Sequence, residues 1–264
     1  MTIKSRNRIF ALCLILMILV FAEAVIAGAF IFINTAPEAG LLALVDFSNP
    51  LCSLLINFVL LLYALISAIL LFKHFRKTSS AEVFFFFLFL VFTALESHRI
   101  YLLGTPAFSR TDWNIYLSKA AYSLHLLGTL LLLASGFFAA GIPHQRLETA
   151  LGICILITIF LGPAIPLNTP LQSSNLLLGL GIKQSLLGIF LTLEILGVLN
   201  YLYAAWLNGS RHYALMALGL LLVFAGREAV FIQTNLPIML GGFLSLCLGT
   251  WLFSSRAREI YLWF

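Results

Sequence analysis

The sequence predicts an all-α fold: a polytopic helical membrane bundle of about eight transmembrane helices. Three observations predict it. Of the 264 residues, 62% are apolar and 9% charged, whereas a soluble domain is about half apolar and about a quarter charged. The apolar residues gather into eight runs, most of them close to the roughly 20 residues that cross a bilayer core. The runs do not alternate apolar with polar positions, so inside a bilayer they satisfy their backbone amides as helices and not as barrel strands. Eight crossings use about 160 residues, which leaves connecting loops only. Residues 1–264 therefore read as one integral-membrane domain.

The first run, Arg8 to Ile33, follows Lys4 and Arg6. Ala22-Glu23-Ala24 resembles a signal-peptide cleavage site, but the apolar character continues to Ile33. That is longer than a signal core, and the run is read as a helix. The second run, Pro50 to Phe72, ends at the basic Lys73, Arg76 and Lys77; the third, Val83 to Leu103, opens with four phenylalanines, Phe84 to Phe87, that face lipid or a neighbouring helix. The fourth is Ala120 to Ala140 and the fifth Leu151 to Ile165. Pro163, Pro166 and Pro170, followed by Gln172-Ser-Ser-Asn175, break the fifth helix and send a loop across that end of the bundle. Gln184 to Trp206, Tyr213 to Ile232 and Ile238 to Phe253 complete the set, and Ser255 to Phe264 is a basic-aromatic tail of interfacial type.

With the amino terminus in the cytoplasm, Lys4, Arg6, Arg8, Lys73, Arg76, Lys77, Arg146, Arg211, Arg256 and Arg258 lie inside, against Arg110, Lys119 and Lys183 outside. The positive-inside rule selects this orientation, both termini cytoplasmic in a multi-pass protein of the cell inner membrane. The net charge of +5 then records topology, and nucleic acid is excluded as a partner. Cys13, Cys52, Cys154 and Cys247 each lie in an apolar run without metal-ligand spacing, and read as small core hydrophobes.

Ionisable side chains inside a bilayer are costly unless paired, so each is a candidate for function. At about 1.5 Å rise per residue, Glu96, His98, Arg99, His125, Arg227 and Glu228 fall at one level in the outer leaflet. Such a layer suits a quinol, which releases two protons with its two electrons: His125 or His98 as base, Arg227 or Arg99 to stabilise an anionic intermediate. The structural alternative pairs Glu96 with Arg99 on one helical face and lets Arg227 snorkel outward. Glu23 and Glu194 lie nearer the midplane, as a second cluster or as two separate protonated carboxyls. Two other functions fit the same residues. A small transporter or sensor would use Glu23, Glu194 and the arginines as a path, and an intramembrane b-haem protein would use His98 and His125 as axial ligands.

Tyr101-Leu-Leu-Gly-Thr-Pro106 with Tyr116-Leu-Ser-Lys119, and Leu221-Leu-Val-Phe-Ala-Gly-Arg-Glu-Ala-Val-Phe231, resemble segments of the DmsC-type membrane anchors of dimethyl sulfoxide reductase and its molybdoenzyme relatives. The resemblance covers under a fifth of the chain. It implies an anchor subunit of a respiratory oxidoreductase that oxidises menaquinol or ubiquinol near its outer face, passing electrons to a docked iron-sulfur subunit and through it to a molybdopterin catalytic subunit. Gly104, Thr105, Pro106, Arg110, Trp113 and Lys119 would then lie under that partner. The family's histidine before leucine-glycine and its acid after leucine-serine are here Leu102 and Ala120. Those departures bear on the quinol chemistry more than on the anchor role, and His98, Arg99 or His125 would have to substitute.

Overall fold

The computed structural model describes residues 3–39, 50–78, 80–103, 111–172, 176–232 and 236–261. Its helices are α1 (Ile3–Ala39), α2 (Pro50–Phe75), α3 (Ala81–Leu95), α4 (Thr111–Ala139), α5 (Leu147–Ala164), α6 (Lys183–Asn208), α7 (Arg211–Ile232) and α8 (Leu236–Tyr261). Among the described residues, eight helical spans are long and apolar enough to cross a membrane, as the composition requires.

The centre is built by α3 and α4. Phe84, Phe85, Phe86 and Phe87 are all buried, so helices surround this run and none of it faces lipid. Phe87 stacks on Phe10 of α1 at 4.0 Å, Phe86 on Phe253 of α8 at 4.2 Å, and Phe85 on Phe138 of α4 at 5.3 Å. A helix apolar on every side belongs in the middle of a bundle. Ser80 caps α3, its Oγ accepting from the Val83 amide at 3.2 Å and donating to the Glu82 carboxylate at 2.8 Å.

The third apolar run does not stay α-helical to its end. After Leu95 the chain tightens into a 3₁₀ segment, Glu96–Leu103, where the Ser97 hydroxyl donates to the Ala94 carbonyl at 2.7 Å. Short 3₁₀ stretches inside a longer helical run often mark functional segments. This one carries Glu96 and Arg99.

Helices α7 and α8 pack through two pairs of glycines. A Cβ on Gly219 would meet the Gly249 carbonyl oxygen at 2.9 Å, and one on Gly242 would meet the Gly226 carbonyl oxygen at 3.0 Å. Small residues let backbones approach in a membrane, where van der Waals contact replaces the hydrophobic drive. The seam fixes the height of the Arg227-Glu228 pair that follows Gly226.

Between α5 and α6 the proline-rich segment forms a two-stranded antiparallel hairpin, β1 (Leu167–Gln172) with β2 (Leu178–Leu180). It docks on α4: the Leu178 amide donates to Ser118 Oγ at 3.1 Å, and the Tyr122 hydroxyl donates to the Leu178 carbonyl at 3.1 Å. Ala121, Tyr122, Ile165, Leu177 and Phe231 form a small apolar cluster of their own beneath it. At the opposite end Arg6 donates to the Phe75 carbonyl at 2.8 Å and the Arg76 carbonyl at 3.2 Å, satisfying carbonyls that the end of α2 leaves open.

Candidate functional site

The hairpin end of the bundle holds a buried network of charges. Glu96 is almost wholly buried, and its two oxygens are divided: Oε1 accepts from Arg227 Nη2, and Oε2 lies 3.5 Å from His125 Nδ1. His125 Nε2 lies 2.6 Å from Glu228 Oε1. A single imidazole on α4 therefore bridges a carboxyl from the 3₁₀ segment to a carboxyl from α7. Its ring is fixed from two further sides by Phe231, at 4.0 Å between centroids, and by Phe190 of α6 at 5.2 Å.

Arg227 is 2% exposed, and so does not snorkel. Besides Glu96 it donates to Thr129 Oγ1 at 3.0 Å and to the His125 carbonyl at 2.9 Å, and its guanidinium lies over the Phe89 ring. These bonds from Nη1 and Nη2 bridge three elements and order the network, although the Arg227 Nε is buried without a hydrogen-bond partner.

Glu194 on α6 joins the same network. Its carboxyl lies beside that of Glu228, while its Oε1 is buried without a hydrogen-bond partner. Glu228 is the most accessible member, with its side chain 21% exposed against 1% for His125.

Arg99 stands next to this network without joining its ion pairs. Its Nε donates to Asn57 Oδ1 at 2.5 Å, and its guanidinium lies 5.3 Å from the centre of the Phe231 ring. The expected structural pair between Glu96 and Arg99 is not formed; Glu96 is committed to Arg227 and His125. His98 is only half-buried and lies beside the layer, within electrostatic reach of Glu96, Glu23 and Arg99. Glu23 is exposed on α1 and bonds Tyr101, so Glu23 and Glu194 do not form one cluster.

Of the docking-loop candidates, Gly104, Thr105, Pro106 and Arg110 lie outside the described residues. Trp113 is 48% exposed near the start of α4, and Lys119 donates to the Pro163 carbonyl at 2.6 Å, tying α4 to the end of α5. Leu102 packs against the apolar cluster under the hairpin.

Both nitrogens of His125 face carboxyl groups, and His98 stands apart from it in burial and in partners. Among the described residues no group of three or more His, Cys, Asp or Glu is placed to hold a metal ion.

No known protein family, curated protein or solved structure matches the chain.

Sequence reasoning missed two features. Glu82 is buried near the other end, where it bonds Ser80 and Tyr261 and lies close to Tyr201 and Tyr213. It stands in the first turn of α3, where acids are common, so its position carries no sequence signal of a buried site. A cavity of about 490 Å³ between α2 and α8 is lined by Tyr63, Ser67, His74, Thr250, Trp251 and Arg258, and no spacing in the sequence announces it.

Proposed function

We propose that the chain is the membrane subunit of a respiratory oxidoreductase, taking protons from a lipid-borne quinol at the Glu96–His125–Glu228 network. The observation that carries this reading is the imidazole of His125 held between two carboxyls, with Glu228 as its most accessible partner. A quinol that gives up two electrons also gives up two protons. Glu228, the accessible member, meets the quinol and takes its protons; one passes to His125 across their 2.6 Å contact and the other is accommodated by Glu228 with Glu194, while Arg227 offsets the negative charge that develops. The electrons leave to a docked iron-sulfur partner and onward to a molybdopterin subunit. The substrate arrives from the bilayer past α6, of whose apolar window only 22% is buried. With the amino terminus in the cytoplasm this network occupies the outer leaflet.

The experiment is to purify the tagged chain from native membranes in mild detergent, identify what accompanies it, and measure quinol-dependent turnover. Co-purifying iron-sulfur and molybdopterin proteins are expected, with turnover falling at least about a hundredfold when His125→Asn removes the base. Unchanged turnover in His125→Asn and Glu228→Gln would refute the quinol site.

One observation favours a second reading, a proton-coupled transporter or sensor. Glu194 extends the network onto a third long helix through its contact with Glu228, which an electron-transfer anchor does not need. A chain that purifies alone, homogeneous, with a substrate-dependent thermal shift would select it.

A further inference from the structure

Arg99 and Arg227 are the largest fully buried side chains among the described residues, and Arg99 is 0% exposed. A guanidinium carries five N–H donors and a permanent charge. Here Nε is taken by Asn57, but Nη1 and Nη2 are both buried and have no hydrogen-bond partner. Arg99 makes no ion pair among the described residues. The acid three residues before it, Glu96, has spent both oxygens on Arg227 and His125. Burying a charge without a counter-ion and leaving donors unmade are each among the most costly arrangements in a folded protein. Arg227 shows the contrast within the same layer, since its two terminal nitrogens have three acceptors between them.

The surroundings define what would satisfy Arg99. The fixed Nε leaves the Nη1–Nη2 edge of the fork, whose two parallel N–H groups match the two oxygens of a carboxylate. The side chains in contact are largely apolar or aromatic, namely the Phe231 ring, Ile100 and the Tyr122 ring, with the Tyr122 hydroxyl already committed to the hairpin, while the Glu96 carboxylate and the Arg227 guanidinium stand within electrostatic reach. Arg227 and Glu96 offset one another, so Arg99 leaves one net positive charge, which favours a monoanion with an apolar body over a multiply charged phosphate. We infer that Arg99 is the anchor of a binding site for a small monocarboxylate with an apolar or aromatic body, held by the Nη1–Nη2 edge beside Phe231 and Tyr122. The site stands independently of the quinol reading, because it uses none of the groups that would exchange quinol protons.

The test is calorimetric titration of the purified full chain in detergent with benzoate, and with benzamide as its neutral isostere. Benzoate is expected to bind, and benzamide at least about tenfold more weakly. Arg99→Lys keeps the charge and removes the fork, and should weaken benzoate by at least about tenfold. Asn57→Asp supplies an internal carboxylate to the guanidinium; it should abolish benzoate binding while the thermal midpoint stays the same or rises. That second variant separates loss of the site from loss of the fold. Equal binding of benzoate and benzamide, no binding of benzoate at tens of millimolar, or benzoate binding that survives in both variants would each overturn the inference.

Discussion

Gly128 on α4 leaves the space in which the Arg227 guanidinium of α7 lies: a Cβ at position 128 would stand 2.6 Å from Nη2 and 3.0 Å from Cζ. The same Nη2 carries the bonds to Glu96 and to the His125 carbonyl. Arg227 cannot yield to a new methyl group without giving up one of them.

Gly128→Ala should therefore lower stability by about 2–4 kcal/mol, although alanine is the better helix former by about 1 kcal/mol. Gly152 on α5 is the internal control, since a Cβ there has nothing within 4 Å. Gly152→Ala should be neutral or slightly stabilising. Unfolding of both variants in mixed micelles decides it; equal effects would show that Gly128 makes no room for the arginine.

The ion pair between Glu96 and Arg227 is buried on both sides, with side-chain exposures of 1% and 2%. Removing one partner strands the other, so Glu96→Gln and Arg227→Gln should each cost about 3–5 kcal/mol. The double variant should cost less than the sum by about 1–3 kcal/mol. A double-mutant cycle on detergent-solubilised protein measures this, and additivity within about 0.5 kcal/mol would deny the coupling.

The helices were legible because membrane insertion leaves a one-dimensional trace: a run such as Gln184 to Trp206 carries enough apolar residues to need no tertiary information. The level of Glu96, His125, Arg227 and Glu228 was legible for the same reason, since helical rise converts sequence position into depth. Which of them meet was not. Glu96 has Arg99 three residues away, yet its partners are 29 and 131 residues distant. The 3₁₀ segment and the glycine seam, neither signalled by hydrophobicity, set those contacts. Glu194 was assigned a midplane level because depth counted from a run's end ignores the reach of a long side chain toward Glu228.

The glycine seam makes a prediction of its own. A Cβ on Gly249 would lie 2.6 Å from the Gly219 carbonyl oxygen and 2.8 Å from the Val223 amide nitrogen, both backbone atoms. Gly249→Val should push α7 from α8 and lower stability by roughly 1–3 kcal/mol or more. Gly241, on the same helix, has open space around its Cβ position, so Gly241→Val should stay within about 1 kcal/mol of the parent. Comparable losses in the two would mean that the seam is not a close contact.

Tyr261 ties the end of α8 to the start of α3. Its hydroxyl bonds the Glu82 carboxyl and lies 3.5 Å from the Tyr213 hydroxyl, while Glu82 is 2% exposed and also takes the Ser80 hydroxyl. Removing the Tyr261 hydroxyl leaves the ring packing in place but deprives a buried carboxyl of a donor. A deletion of this kind costs about 1–3 kcal/mol, the larger part from the acceptor left behind. Tyr261→Phe should therefore loosen the last turns of α8 before it affects anything at the hairpin end, because local opening follows local loss of contacts. Hydrogen exchange followed by mass spectrometry is the measurement. Faster exchange is expected in the final turns of α8 and the first turn of α3, with residues 121–132 unchanged. Tyr203→Phe, at a position 50% exposed, should leave both segments alone. If Tyr261→Phe exchanges like the parent at these two ends, the tyrosine does not hold them together. If exchange rises equally around His125, the two polar regions form one cooperative unit instead of two.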